Sequence, residues 1–168
     1  QEVKQTFDYA NELYDKKDYA GAAETFRRVI YFDKEDNFRK NCYKKIADCL
    51  YETQQFDESA DYYELAYFQP QTDSTKNEIV FRKISCFLIL QNFDYAQIEF
   101  LSLPDSMSVE QKKKKVFYSA VLNFATEKFE DSKKDFLVLV DSTNLEKKNQ
   151  VENLFQKNEK INKLNPRK

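Results

Sequence analysis

Cysteines, paired carboxylates and one lysine run are the side chains whose type and spacing could do chemistry. Cys42, Cys49 and Cys86 make an odd count, so no complete disulfide framework is available. Cys42 and Cys49 lie seven residues apart on an expected helix, roughly 10 Å at 1.5 Å per residue, too far for a bridge. With no CxxC and no histidine, the thiols read as small buried hydrophobes. The pairs Glu35/Asp36 and Asp57/Glu58 could in principle do acid-base work, but sequence neighbours on a helix point in different directions. A calcium loop at Asp33-Lys34-Glu35-Asp36 lacks the glycine and the spaced ligands that such loops need. Lys112 to Lys115 reads as a solvated helix start.

Composition points the same way. The 168 residues include one glycine (Gly21), three prolines and neither histidine nor tryptophan. Phosphate-cradling and dinucleotide-binding loops need several glycines, and imidazole-based nucleophile or metal sites need histidine. No Asn-Gly or Asp-Gly step is present to close a tight β-hairpin. The chain is 41% hydrophobic and 15% aromatic, enough to build a core at this length. With 27 basic residues against 29 acidic, the formal charge of −2 gives no reason to expect nucleic acid as a partner. No stretch approaches the ~20 apolar residues that span a bilayer, the longest apolar-rich pieces being 86–90 and 136–140. The expectation is an all-α, non-catalytic protein without metal or cofactor.

The elements come from an internal repeat. Tyr19, Phe56, Phe93 and Phe129 are separated by 37, 37 and 36 residues. Three residues after each stands a small residue (Ala22, Ser59, Ala96, Ser132), and four further on a second aromatic (Phe26, Tyr63, Phe100, Phe136). Nine residues before each first aromatic come Ala10, Ala47, Ile84 and Ala120. The small residue and the second aromatic are i,i+4 neighbours on one helix face. The small side chain admits a neighbouring helix closely and the aromatic fills the space beside it. Helices are predicted over 3–16 and 19–32, 38–53 and 56–68, 75–90 and 93–102, and 108–126 and 129–140. Their short polar turns lack the glycine usual at such places. Asp73 or Ser74, and Ser106 or Ser108, are the expected N-caps. A last helix over 145–164, with Val151, Leu154, Phe155 and Ile161 on one stripe, reads as a solvating cap or half of a fifth repeat.

These columns resemble the tetratricopeptide repeat (TPR) family over residues 3–140, best in the unit with Ala10, Leu13, Tyr19, Ala22, Phe26 and Val29. The resemblance implies one domain over 1–168: a right-handed superhelical solenoid of about four hairpins (3–36, 38–71, 75–104, 108–141) plus the cap. It also implies a non-catalytic scaffold whose concave groove, lined by first helices, holds a peptide or helix of a partner protein. Carried over by position, the groove takes Phe7, Asn11 and Tyr14 from the first repeat, and Lys44, Asp48 and Tyr51 from the second. Phe81 and Leu88 come from the third, and Phe117 and Phe124 from the fourth. Tyr14, Tyr51, Phe81 and Phe117 are the expected anchors. A terminal-carboxylate clamp is not expected, because Phe7 stands where it needs a lysine.

Two alternatives stay open. The aromatics could pack between adjacent repeats, or the last helix could fold onto Leu88, Val121 and Phe124. The array could also be a structural, self-associating module or the extramembrane part of a larger membrane or sensor protein. The first residue, Gln1, is expected to follow a removed leader of an exported bacterial protein, a cytoplasmic origin being the alternative.

Overall fold

The computed structural model describes residues 2–140, 148–153 and 155–156. Among them every regular element is helical and there is no strand. Their contacts divide into two compact units, Gln1–Leu103 and Pro104–Lys168. The first contains α1 (Glu2–Asp15), α2 (Tyr19–Phe32), α3 (Arg39–Glu52), α4 (Phe56–Tyr67), α5 (Asp73–Ile89) and α6 (Phe93–Ser102). The second contains α7 (Val109–Ala125) and α8 (Phe129–Leu139), and residues 148–153 and 155–156 are also helical. Each of the eight helices begins and ends within two residues of its predicted limits. Of the helix predicted over 145–164, the described residues are helical; Leu154 and Ile161 lie outside the described residues.

The turns inside the four hairpins are one motif repeated. Lys17, Gln54, Gln91 and Glu127 each adopt φ between 57° and 63°, the left-handed region that favours glycine. At each, that residue's N–H donates to the carbonyl three back (Tyr14, Tyr51, Leu88, Phe124). The next N–H reaches five back, to Leu13, Leu50, Phe87 and Asn123, at 2.8–2.9 Å. This double bond pattern satisfies the last carbonyls of the first helix and swings the chain into the second. A glycine is absent, but the backbone shape that glycine would serve is present. Aromatics close the same corner edge-on: Tyr14 on Tyr19 at 5.8 Å, Tyr51 on Phe56 at 5.2 Å and Phe124 on Phe129 at 5.5 Å.

Starts are capped unevenly. Asp18 Oδ1 accepts from the Gly21 N–H at 3.1 Å, and a Cβ on residue 21 would collide with that carboxylate. Ser108 caps α7 as expected, accepting from Gln111. For α5 the expected Asp73 or Ser74 is corrected to Thr72, whose hydroxyl accepts from the Thr75 N–H, because α5 starts two residues early.

In the first unit α1 packs on α2, α2 on α3, and so on to α6. The core runs from Ala10, Phe26 and Ile46 to Tyr63, Ile79 and Cys86. The two columns are sealed inside the hairpins: Ala10, Ala47, Ile84 and Ala120, and Ala22, Ser59, Ala96 and Ser132, are all closed to solvent, with Ile84 the one large residue among them. The serines are no defect in that column. Ser59 Oγ donates to the Ala47 carbonyl at 2.8 Å, and Ser132 Oγ to the Ala120 carbonyl at 2.7 Å. In the second unit α7 pairs with α8, and buried Phe155 sets its ring against Phe124 and Phe136 at 6.0 and 6.2 Å.

Candidate functional site

In the first unit, contacts among α1, α3 and α5 bring some of the predicted groove residues together: Phe7 and Lys44 line one cavity, and cations of α3 and α5 lie over the rings of Tyr14 and Tyr51. Phe7 is half-buried, its ring against Phe26 and Phe38, and Asn11 turns its amide back to the Phe7 carbonyl at 2.8 Å. Asp48 is the polar hub of α3. It pairs with Lys44 at 2.8 Å and accepts from the Tyr63 hydroxyl at 2.6 Å. Burial and the Asp48 charge raise the Tyr63 phenol above its usual pKa, and the same two causes push Tyr14 up to about 12. The Tyr63 hydroxyl thus stays protonated as the donor to Asp48.

Tyr14 and Tyr51 each carry a cation on the ring face. Lys45 Nζ lies 3.9 Å from the Tyr14 centroid, and the Arg82 guanidinium lies 5.1 Å from that of Tyr51. Two cavities flank this row. One, of about 650 Å³, is lined by Phe7, Lys40, Asn41, Lys44, Lys45 and the 70–72 segment with Thr75. The other, of about 340 Å³, is lined by Lys44, Tyr63, Ser74, Thr75, Glu78, Ile79 and Arg82. Lys44 and Thr75 belong to both, so the two are neighbours.

Not every expected groove residue lies there. Phe81 is 1% exposed, a core side chain on the inner side of α5. Leu88 is half-buried, one residue before the end of α5. Phe117 and Phe124 stand on α7 of the second unit, 45% and 38% exposed, and Phe124 is shared between Phe129 and Phe155. Tyr14, Tyr51 and Phe124 thus serve hairpin corners in the first place, whatever else they touch. Lys40, Lys45 and Arg82 were missed in the sequence. The available signal was the Lys40/Lys44/Lys45 spacing, which puts three cations on neighbouring turns of one helix.

The cysteines, Asp33 and Lys83 are engaged in structure. All three cysteines are free and buried; burial pushes Cys42 and Cys49 up to about 12 and Cys86 to about 11. A thiol held protonated and out of solvent is a poor nucleophile. Asp33 accepts from the Asn37 and Phe38 N–H groups at 3.1 and 2.7 Å, fixing the α2–α3 loop. Lys83, nearly sealed, is clasped by Glu64 and by Glu99 at 2.6 Å. Among the described residues no three His, Cys, Asp or Glu side chains cluster to hold a metal, and no helix is long and apolar enough to cross a membrane. Comparison with protein-family models, characterised proteins and solved structures returns no match.

Proposed function

We propose that the chain is a TPR-like array of helix hairpins, a right-handed solenoid in which the α1, α3 and α5 faces form a groove for a segment of a partner protein. Its role is recognition without catalysis. The observation that carries this reading is the hairpin unit itself. At intervals of 37, 37 and 36 residues the same left-handed corner recurs at Lys17, Gln54, Gln91 and Glu127, beside sealed positions that are small in every hairpin except for Ile84 in the third. A hairpin of this kind cannot bury its own apolar stripe, and stacking against the next one does. Repetition of one unit leaves one row of first-helix side chains along one face. On that face the cation-topped rings of Tyr14 and Tyr51 and the Lys44–Asp48 pair alternate apolar area with fixed polar groups, the mixture found in recognition surfaces.

Site-specific photocrosslinking tests it. A photoreactive residue at Asn41, on the groove side, should capture a defined partner from the native extract, and one at Asp61 on α4 should not. Lys44→Ala should weaken the capture while leaving the melting temperature within a few degrees. Equal capture from both positions would remove the groove as the binding face.

A further inference from the structure

The neighbouring cavities of the first unit have a wall chemistry that goes beyond a generic groove. Lys40, Lys44 and Lys45 project from α3 into the first cavity; Lys44 is paired with Asp48, and Arg82 and Glu78 line the second cavity together. Lys40 and Lys45 have no carboxylate partner among the described residues; the Lys45 ammonium rests on the Tyr14 ring instead. A ring face steadies a cation without neutralising it. The chain as a whole carries a formal charge of −2, so this concentration of positive charge is local and opposite in sign to the molecule. Between the lysines, Asn41, Gln71 and Thr75 offer amides and hydroxyls, and Phe7 and Pro70 offer apolar contact. The volumes, about 650 and 340 Å³, fall in the range of about 300–1,000 Å³ that binding clefts occupy.

We infer that the segment held in this groove is acidic: an extended peptide whose Asp or Glu side chains meet Lys40 and Lys45 while an apolar residue lies against Phe7. The inference rests on the groove reading and narrows it to one partner chemistry. An acidic peptide fits better than a nucleic acid, because the Lys44–Asp48 pair and Glu78 interrupt the run of positive charge that a phosphate backbone would require at every step.

The test uses the full chain and a fluorescein-labelled decapeptide alternating Glu with Leu, beside its Gln-for-Glu counterpart, read by fluorescence anisotropy. The acidic peptide should bind at least about tenfold tighter than the neutral one, and added salt should weaken it. Lys40→Glu combined with Lys45→Glu should lower its affinity by about tenfold or more, and Asn41→Lys should raise it a fewfold. Lys40 and Asn41 are exposed and Lys45 is half-buried against the Tyr14 ring, so circular dichroism and the melting temperature verify that the fold persists. Equal affinity for the two peptides, with both sensitive to Phe7→Ala, would overturn the acidic preference and leave the groove reading standing. Absence of binding by either peptide, indifference to the double charge reversal, or tighter binding of a single-stranded oligonucleotide than of the acidic peptide would each overturn the inference.

Discussion

At the scale of single residues, the four left-handed corners are the clearest departure from what local chemistry prefers. Lys17, Gln54, Gln91 and Glu127 each hold a conformation that costs an L-residue about 1 kcal/mol more than glycine. Gln54→Gly should therefore stabilise the protein by up to about 1 kcal/mol, less what glycine's freedom gives back in the unfolded chain. Urea unfolding checks it, and a destabilised variant would mean that the Gln54 side chain contributes more than its backbone costs. The thiols set a pH dependence. An unfolded cysteine releases its proton near about 8.5. The folded chain holds those of Cys42 and Cys49 to about 12 and of Cys86 to about 11. Between those limits the native state binds more protons than the unfolded one, so stability falls as pH rises. Lys83, whose burial is outweighed by Glu64 and Glu99 so that its pKa is raised, acts in the same direction from the ordinary lysine value of about 10.4 upward. Under reducing conditions the melting temperature should be level from neutral pH to about 8 and decline above about 9. A decline that persists unchanged in a Cys-to-Ala triple variant would assign it elsewhere.

At the scale of elements, two contacts decide how helices meet. Ser59 and Ser132 combine the small volume that lets helix approach helix with a hydroxyl that satisfies a buried carbonyl. Ser132→Val should cost about 2–3 kcal/mol, because added volume has no place to go and the Ala120 carbonyl loses its donor. Ser132→Ala should cost only about 1 kcal/mol. Chemical denaturation separates the two, and equal losses would show that packing room is not limiting. The second contact is the Lys83 clasp, which joins α4, α5 and α6. Lys83→Ala leaves Glu99 without its cation in a nearly closed site and should lower stability by about 2 kcal/mol. Lys83→Met, which keeps the side-chain bulk, should recover part of that loss. Helix limits were legible in the sequence because the 3.6-residue pattern and the polar turns agreed. The Thr72 cap was not, because Thr72, Asp73 and Ser74 are all competent caps and only the packing of α5 selects among them.

At the scale of the whole molecule, the contacts divide the chain into units ending and beginning at Leu103 and Pro104. Each unit has its own buried small-residue contacts, Ala10 with Ala22 and Ala47 with Ser59 in the first, and Ala120 with Ser132 in the second. Neighbour-only packing makes stability a sum of local terms. A chain ending at Leu103 should consequently remain helical by circular dichroism and unfold cooperatively; a fragment without cooperative melting would show that the first unit needs residues 104–168 to fold. The side-chain contacts of the proposed groove were legible here only in part. Lys44 and Asp48 stay at the surface of α3 as an ion pair, but Phe81 turns inward, because seventeen residues of α5 carry an apolar face broad enough to bury it.

From the order of its residues alone the chain settles helix against strand among the described residues, the length of each of the eight helices α1–α8, the pairing of neighbours into hairpins and the columns sealed between them. Those features come from periodicity and side-chain volume, which act between residues close in sequence. Which aromatics would fasten corners, which would sink into the core, and that Lys45 and Arg82 would settle on the rings of Tyr14 and Tyr51 was decided by tertiary packing. A half-buried ring satisfies the same helical pattern whether it faces a turn, a neighbouring helix or solvent. Only the approach of the next helix removes that degeneracy.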